Sequence, residues 1–204
     1  MTIFAKPEKI VNDYENNSGV NILFLHGLEG SPEGDKARHL KTKWSANIPM
    51  LRSDDLRNLR SIYPGRTWQE MPAKELNNAI DKVYEDALAA VSYAQPDIIV
   101  GSSMGGALLA KLILDKKWFG SSIFLAPAIE PLLGNIKLPE LKNSVWILGE
   151  LDTVVPNAAN IQYCSNMGGS LILSIDDSHR LHRALNSGII DCAIITVLEL
   201  EAQV

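Results

Sequence analysis

Asp97-Ile98-Ile99-Val100-Gly101-Ser102-Ser103-Met104-Gly105-Gly106-Ala107-Leu108-Leu109-Ala110-Lys111-Leu112-Ile113-Leu114 is the stretch on which the fold turns. It opens as a short apolar run of the kind a strand buried on both faces requires. It closes as an almost wholly apolar helix, so that helix is expected to be buried. Three glycines, two serines and Lys111 interrupt it too often for a membrane span. The reading is strand, sharp turn, buried helix. A turn this tight strains the residue at its apex and leaves almost no room two positions away on either side. Only Ser103 has glycine at both offsets, Gly101 and Gly105. This is the setting in which a serine is presented as a nucleophile. The plainer alternative is a small-residue turn that merely lets strand and helix approach.

Four further apolar runs flank this unit: Asn21–His26, Ser122–Ala126, Ser144–Gly149 and Ser170–Ile175. None alternates polar with apolar, so all are expected to be buried on both faces. Ile48-Pro49-Met50-Leu51-Arg52 is a sixth, weaker strand, and its proline suggests a sheet edge. Residues 2–11 are the candidate for a further N-terminal strand. Leu76, Ile80, Val83, Ala87, Leu88 and Val91 mark an amphipathic helix, with Thr67-Trp68-Gln69-Glu70 as its capping box. Ser31-Pro32 reads as the start of an earlier helix, and His182 to about Leu200 as a closing one. Strands alternating with helices imply right-handed crossovers, hence a mostly parallel sheet of about six strands with helices on both faces. No repeat or linker-like shift divides the chain, so residues 1–204 are expected to form one α/β domain.

The composition narrows the function. The 204 residues are 46% hydrophobic and 21% charged, with a formal charge of −5. That balance excludes a disordered chain and disfavours nucleic acid or an anionic membrane surface as partner. Cys164 and Cys192 form no CxxC or metal-ligand pattern. Two thiols in an acidic chain suit a reducing cytoplasm, with a single disulfide left open. The N-terminus lacks the apolar core of a signal peptide.

Three other segments add chemistry. His26-Gly27-Leu28-Glu29-Gly30-Ser31-Pro32 follows the first strand. Acyl transfer needs two backbone N–H donors at the developing oxyanion. Met104, after the serine, supplies one, and Leu28 in the His-Gly turn the other. A phosphate loop is excluded, because neither GxxxxGK[ST] nor GxGxxG is present. Asp152 follows the Ser144–Gly149 strand, so it is placed on the same sheet edge as Ser103, with Glu130 as rival acid. His179 lies in the loop after the last strand, where a base can reach Ser103. His182, expected in the first turn of a helix, is the second choice. His39, beside Lys36 and Lys41, reads as solvent-exposed. Asp176 and Asp177 adjoin His179 in sequence, whereas an acid partner normally arrives from another loop.

Ser103, Asp152 and His179 thus come in the order Ser…Asp…His, each just after a strand. In these motifs the chain resembles the α/β-hydrolase superfamily over about residues 20–200. Within it, the His-Gly-x-x-x-Ser-Pro segment is similar to that of small, nearly lidless bacterial esterases of the YqiA type. The elbow and Gly149-Glu150-Leu151-Asp152-Thr153-Val154-Val155-Pro156 are the most specific parts of the likeness. The resemblance implies a catalytic triad of Ser103, Asp152 and His179, with Leu28 and Met104 as oxyanion donors. It implies a cytoplasmic serine hydrolase acting on a small-molecule ester or thioester, without metal or organic cofactor. A non-catalytic ligand-binding or sensor protein on the same fold, or a cofactor-free perhydrolase, are the alternatives. Pocket walls are expected from residues 54–70 and 127–143, with Tyr63, Arg66, Trp68, Ile129 and Leu132 as candidate lining residues.

Overall fold

A computed structural model describes residues 19–141 and 143–201. The suggested N-terminal strand at residues 2–11 lies outside them. Five strands form one parallel sheet: β1 Ile22–Leu25, β2 Ile98–Ser102, β3 Ser121–Leu125, β4 Ser144–Gly149 and β5 Ser170–Ser174. They stand in sequence order across the sheet. The helices are α1 Asp35–Trp44, α2 Asp54–Ile62, α3 Ala73–Ala94, α4 Met104–Leu114, α5 Ile129–Leu133, α6 Asn157–Met167, α7 His182–Asn186 and α8 Ile189–Glu201.

Strand order dictates where the helices go. Each step from β1 to β5 moves in one direction, and right-handed crossovers in one direction put their helices on one face. That face packs α2 through α6 against Leu23, Leu25, Ile99, Phe124 and Trp146. Phe124 and Trp146 are paired across β3 and β4 and stack with centroids 4.1 Å apart. The alternate strand residues, Ile22, Phe24, Ile98, Val100, Ile123, Leu125, Val145 and Ile147, point to the other face. It is covered by α1, α7 and α8. α1 belongs there because its crossover runs the opposite way, to the outer side of β1.

At that outer side the sixth expected strand shrinks to a single bridge, Leu23 with Asn47. Asn47 exchanges backbone hydrogen bonds with Ile22 and Phe24 at 2.7 and 2.9 Å. Pairing goes no further, since Pro49 has no N–H to donate and Met50 is largely exposed. β5 also departs from expectation: it is the other edge, and its residues other than Ser174 are partly or fully exposed. Its continuous apolar run is therefore half covered rather than sandwiched.

Three helix boundaries differ from the sequence reading. α1 begins at Asp35 with Gly34 as N-cap, and Ser31 Oγ instead accepts the Glu33 N–H at 3.2 Å. The Thr67–Glu70 capping box forms, but on a separate 3₁₀ turn, Trp68–Glu70, and α3 starts at Ala73. Pro72 between them lacks the N–H needed to continue one helix into the next. The closing helix is split into α7 and α8 at Ser187-Gly188, where Gly188 takes φ +77°. Both cysteines are free thiols. Among the described residues no helix is long and apolar enough to cross a membrane.

Candidate active site

β2 ends and α4 begins within one residue, Ser103, whose backbone sits at φ 53°, ψ −113°. A non-glycine residue there is strained by about 1–3 kcal/mol and persists only when its surroundings hold it. They do: Ser103 N–H donates to Leu125 O at 2.9 Å, and its carbonyl accepts from Gly106, Ala107 and Ala128. The flanking glycines are steric necessities. A Cβ on Gly105 would lie 1.9 Å from Leu25 O, and one on Gly101 2.6 Å from Gly105 O.

The parallel sheet brings three sequence-distant residues to this edge. His179 Nε2 lies 2.9 Å from Ser103 Oγ, and its Nδ1 lies 2.8 Å from Asp152 Oδ2. The Asp152 side chain is fully buried, and that of His179 is partly exposed. Asp152 Oδ1 accepts the N–H groups of Val154 and Val155, each at 2.9 Å. Burial works against the charged carboxylate. The His179 hydrogen bond, the two backbone donors and the His179 charge outweigh it and hold the pKa below the usual value. Asp152 is thus an ionised acceptor that orients the ring, with Nε2 turned to Ser103 Oγ.

The rival residues go elsewhere. Glu130 sits on α5, and its backbone carbonyl accepts from Gln69. Asp177 is buried and accepts from Ser174 Oγ and Ala184 N–H at 3.0 and 2.8 Å, tying the loop after β5 to α7. Asp176 pairs with Arg183. His182 opens α7, as its sequence position suggested, and is exposed. His39 is not the solvent-facing residue expected: its Nε2 meets the buried Asp191 Oδ1 at 2.9 Å. No sequence signal marks that pair, since the two residues are far apart in the chain.

The His26–Gly30 loop faces the elbow, so that a Cβ on Gly27 would stand 3.2 Å from Ser103 Cβ. Among the described residues, no hydrogen bond uses the backbone N–H of Leu28 or of Met104. Leu28 lines the approach to Ser103, and Met104 follows the serine as the first residue of α4. A cavity of about 290 Å³ adjoins them, walled by His26–Ser31, Gly34–Ala37 and the His179–His182 loop. This corrects the expected pocket. Trp68, Ile129 and Leu132 are buried in the core, and Tyr63 packs against it. Arg66 lies over the Tyr63 ring, 5.4 Å from its centroid. The segment 54–70 is mostly helical, the described residues of 127–143 are loop apart from α5, and neither segment lines the cavity. Among the described residues no group of three or more His, Cys, Asp or Glu is placed to hold a metal.

No protein-family model matches the sequence, and no curated protein matches it significantly. Solved structures do. Est1E from Butyrivibrio proteoclasticus, described with ferulic acid bound, shares 15% identity over 92% of this chain and 93% of its own, with a TM-score of 0.64. A Xanthomonas campestris protein assigned to the hydrolases of the alpha/beta superfamily shares 20% over 91% and 99%, with a TM-score of 0.59. An alpha-beta serine hydrolase homologue from Coxiella burnetii shares 16% over 89% and 85%, with a TM-score of 0.57. Together with the five-stranded parallel sheet and its strand–turn–helix at Ser103, these likenesses identify the architecture of the chain as the α/β-hydrolase fold.

Proposed function

We propose that the protein is a serine hydrolase that cleaves a small carboxylic ester or thioester through an acyl-enzyme on Ser103. The observation that carries this reading is the unbroken hydrogen-bonded chain from Asp152 through His179 to Ser103, at 2.8 and 2.9 Å. In the first half-reaction His179 Nε2 takes the Ser103 proton as Oγ attacks the carbonyl carbon. The carbonyl oxygen becomes an oxyanion and accepts hydrogen bonds from Leu28 and Met104 N–H. Asp152 stabilises the imidazolium. Collapse of the tetrahedral intermediate breaks the bond to the alcohol or thiol, which leaves with the proton from His179. Water, deprotonated by the same histidine, then releases the acid and regenerates Ser103.

The cavity supports a short substrate. Its volume, about 290 Å³, stands at the lower end of ligand pockets. The reading is that of a small esterase without a bulky enclosed acyl pocket. It is tested by a fluorophosphonate probe, with the modified residue located by mass spectrometry. Beside it runs a chain-length series of nitrophenyl esters and acyl thioesters. Labelling at Ser103 and higher kcat/KM for four-carbon than for sixteen-carbon acyl groups are expected. Absence of labelling on the folded protein would overturn the hydrolase reading and favour a ligand-binding protein.

A further inference from the structure

Arg57, on α2, lies outside both the Ser103–His179–Asp152 chain and the cavity wall, yet its guanidinium grips the loop that carries Leu28. Nε and Nη2 both donate to the Leu28 carbonyl, at 3.1 and 2.8 Å, and Nη1 donates to Asp54 Oδ1 at 3.0 Å. The preceding peptide is held as well. The Gly27 carbonyl accepts the Gly30 N–H at 3.0 Å and lies 2.9 Å from His26 Nδ1. In a trans peptide the C=O and the N–H point in opposite directions. Anchoring Gly27 C=O therefore aims the Leu28 N–H, and anchoring Leu28 C=O stops that residue from turning about its own backbone. The peptide planes on both sides of the donor are thereby fixed.

Charge acts in the same sense. His26 is held below its ordinary pKa by burial, against the pull of its Gly27 hydrogen bond and with the Arg57 charge as a further depressing influence. A neutral His26 keeps one ring proton, and the contact with Gly27 O puts that proton on Nδ1. The exposed Arg57–Asp54 pair, three residues apart on one helix, contributes little. The two-pronged grip on Leu28 is the specific feature, one that a lysine's single ammonium cannot reproduce.

We propose that Arg57 is a positioning residue that holds the Leu28 N–H in place for the oxyanion and sets a fixed positive charge behind it. The inference rests on the reading of Ser103 as nucleophile. The test compares wild type with Arg57→Gln, Arg57→Lys and Asp54→Asn. The readouts are steady-state kinetics on a short nitrophenyl ester, the rate of fluorophosphonate labelling, and inhibition by a trifluoromethyl ketone, which adds to a serine as an oxyanion-bearing hemiketal. Arg57→Gln is expected to lower kcat by about 10- to 100-fold with KM within about twofold. Ketone affinity and labelling rate should fall by a similar factor. Arg57→Lys should recover part of the loss, and Asp54→Asn should stay near wild type. Wild-type kcat in Arg57→Gln, or a raised KM with kcat intact, would overturn the inference while leaving the Ser103 reading standing. A loss in Arg57→Gln that tracks a lower Tm, with no recovery in Arg57→Lys, would overturn it too. A wild-type protein that the fluorophosphonate does not label would overturn both.

Discussion

The molecule contains two histidine–aspartate pairs of nearly the same geometry. His179 meets Asp152 at 2.8 Å and His39 meets Asp191 at 2.9 Å, with both carboxylates buried. In each, burial opposes ionisation of the acid but its hydrogen bonds and neighbouring charges prevail, so both pKa values are lowered. What differs is the rest of the network. The far nitrogen of His179 reaches Ser103 Oγ at the mouth of a cavity. Asp191 spends its remaining capacity on Trp44 Nε1 at 2.7 Å and Lys43 Nζ at 3.3 Å. The second pair thus staples α8 to α1 on the far face of the sheet. A buried His–Asp pair is not in itself a site. Position at the C-terminal edge of the strands, and a serine hydroxyl on the far nitrogen, make the difference.

The largest expected effects separate the pairs by activity. Ser103→Ala and His179→Ala should each cost about 10⁶ in kcat, since members of such a chain act as a unit. His39→Ala should leave kcat near wild type. Steady-state assays on a short-chain ester, with Tm measured for each variant, check both. Asp152→Asn should cost on the order of 10⁴ in kcat, because the acid orients and stabilises the histidine rather than exchanging the proton itself. A nearly silent Asp152→Asn beside a damaging Glu130→Gln would move the acid to another strand.

Asp191 should respond in stability instead. Removing its carboxylate strands Trp44 N–H and the Lys43 charge, and Asp191→Ala should destabilise by about 3 kcal/mol in urea unfolding, with kcat retained in the folded fraction. Its pH dependence has a definite sign. A carboxyl whose folded pKa is depressed adds stability above its unfolded value, about 3.9, and loses it as pH falls through the lower folded value. The gap between wild type and Asp191→Asn should therefore be full at pH 6 and close below about pH 4. A gap that widened on acidification would contradict the assignment. A small effect is expected at His182, a further histidine of the cavity wall. His182→Ala should keep kcat within about twofold, because it opens α7 and hydrogen-bonds neither Ser103 nor Asp152 among the described residues.

Much of this was legible in the chain because it is governed locally. The Gly101–Gly106 turn is in part short-range sterics: a Cβ on Gly101 would stand 2.6 Å from the carbonyl oxygen of Gly105, four residues along the chain. The continuous apolar runs at β1 to β4 record burial on both faces. Ser103 and Asp152 follow such runs, His179 follows the apolar run of β5, and strands that all run parallel bring their ends to one edge whatever their order. Candidate positions at strand ends therefore read out directly.

Tertiary structure alone decided the features that depend on which surfaces meet. β5 carries the same kind of apolar run as β2, yet it is an edge, because no further strand pairs with it among the described residues. The cavity is walled by residues 26–37 and 179–182 rather than 54–70 and 127–143, because the latter bury Trp68, Ile129 and Leu132 against the sheet. His39 with Asp191, and Arg57 with Leu28, join residues with no pattern between them in the sequence. Periodicity and turn sterics reach only a few residues along the chain. The partners in these contacts were chosen by the right-handed crossovers, which send α1 and α8 to one face of the sheet and α2 to the other.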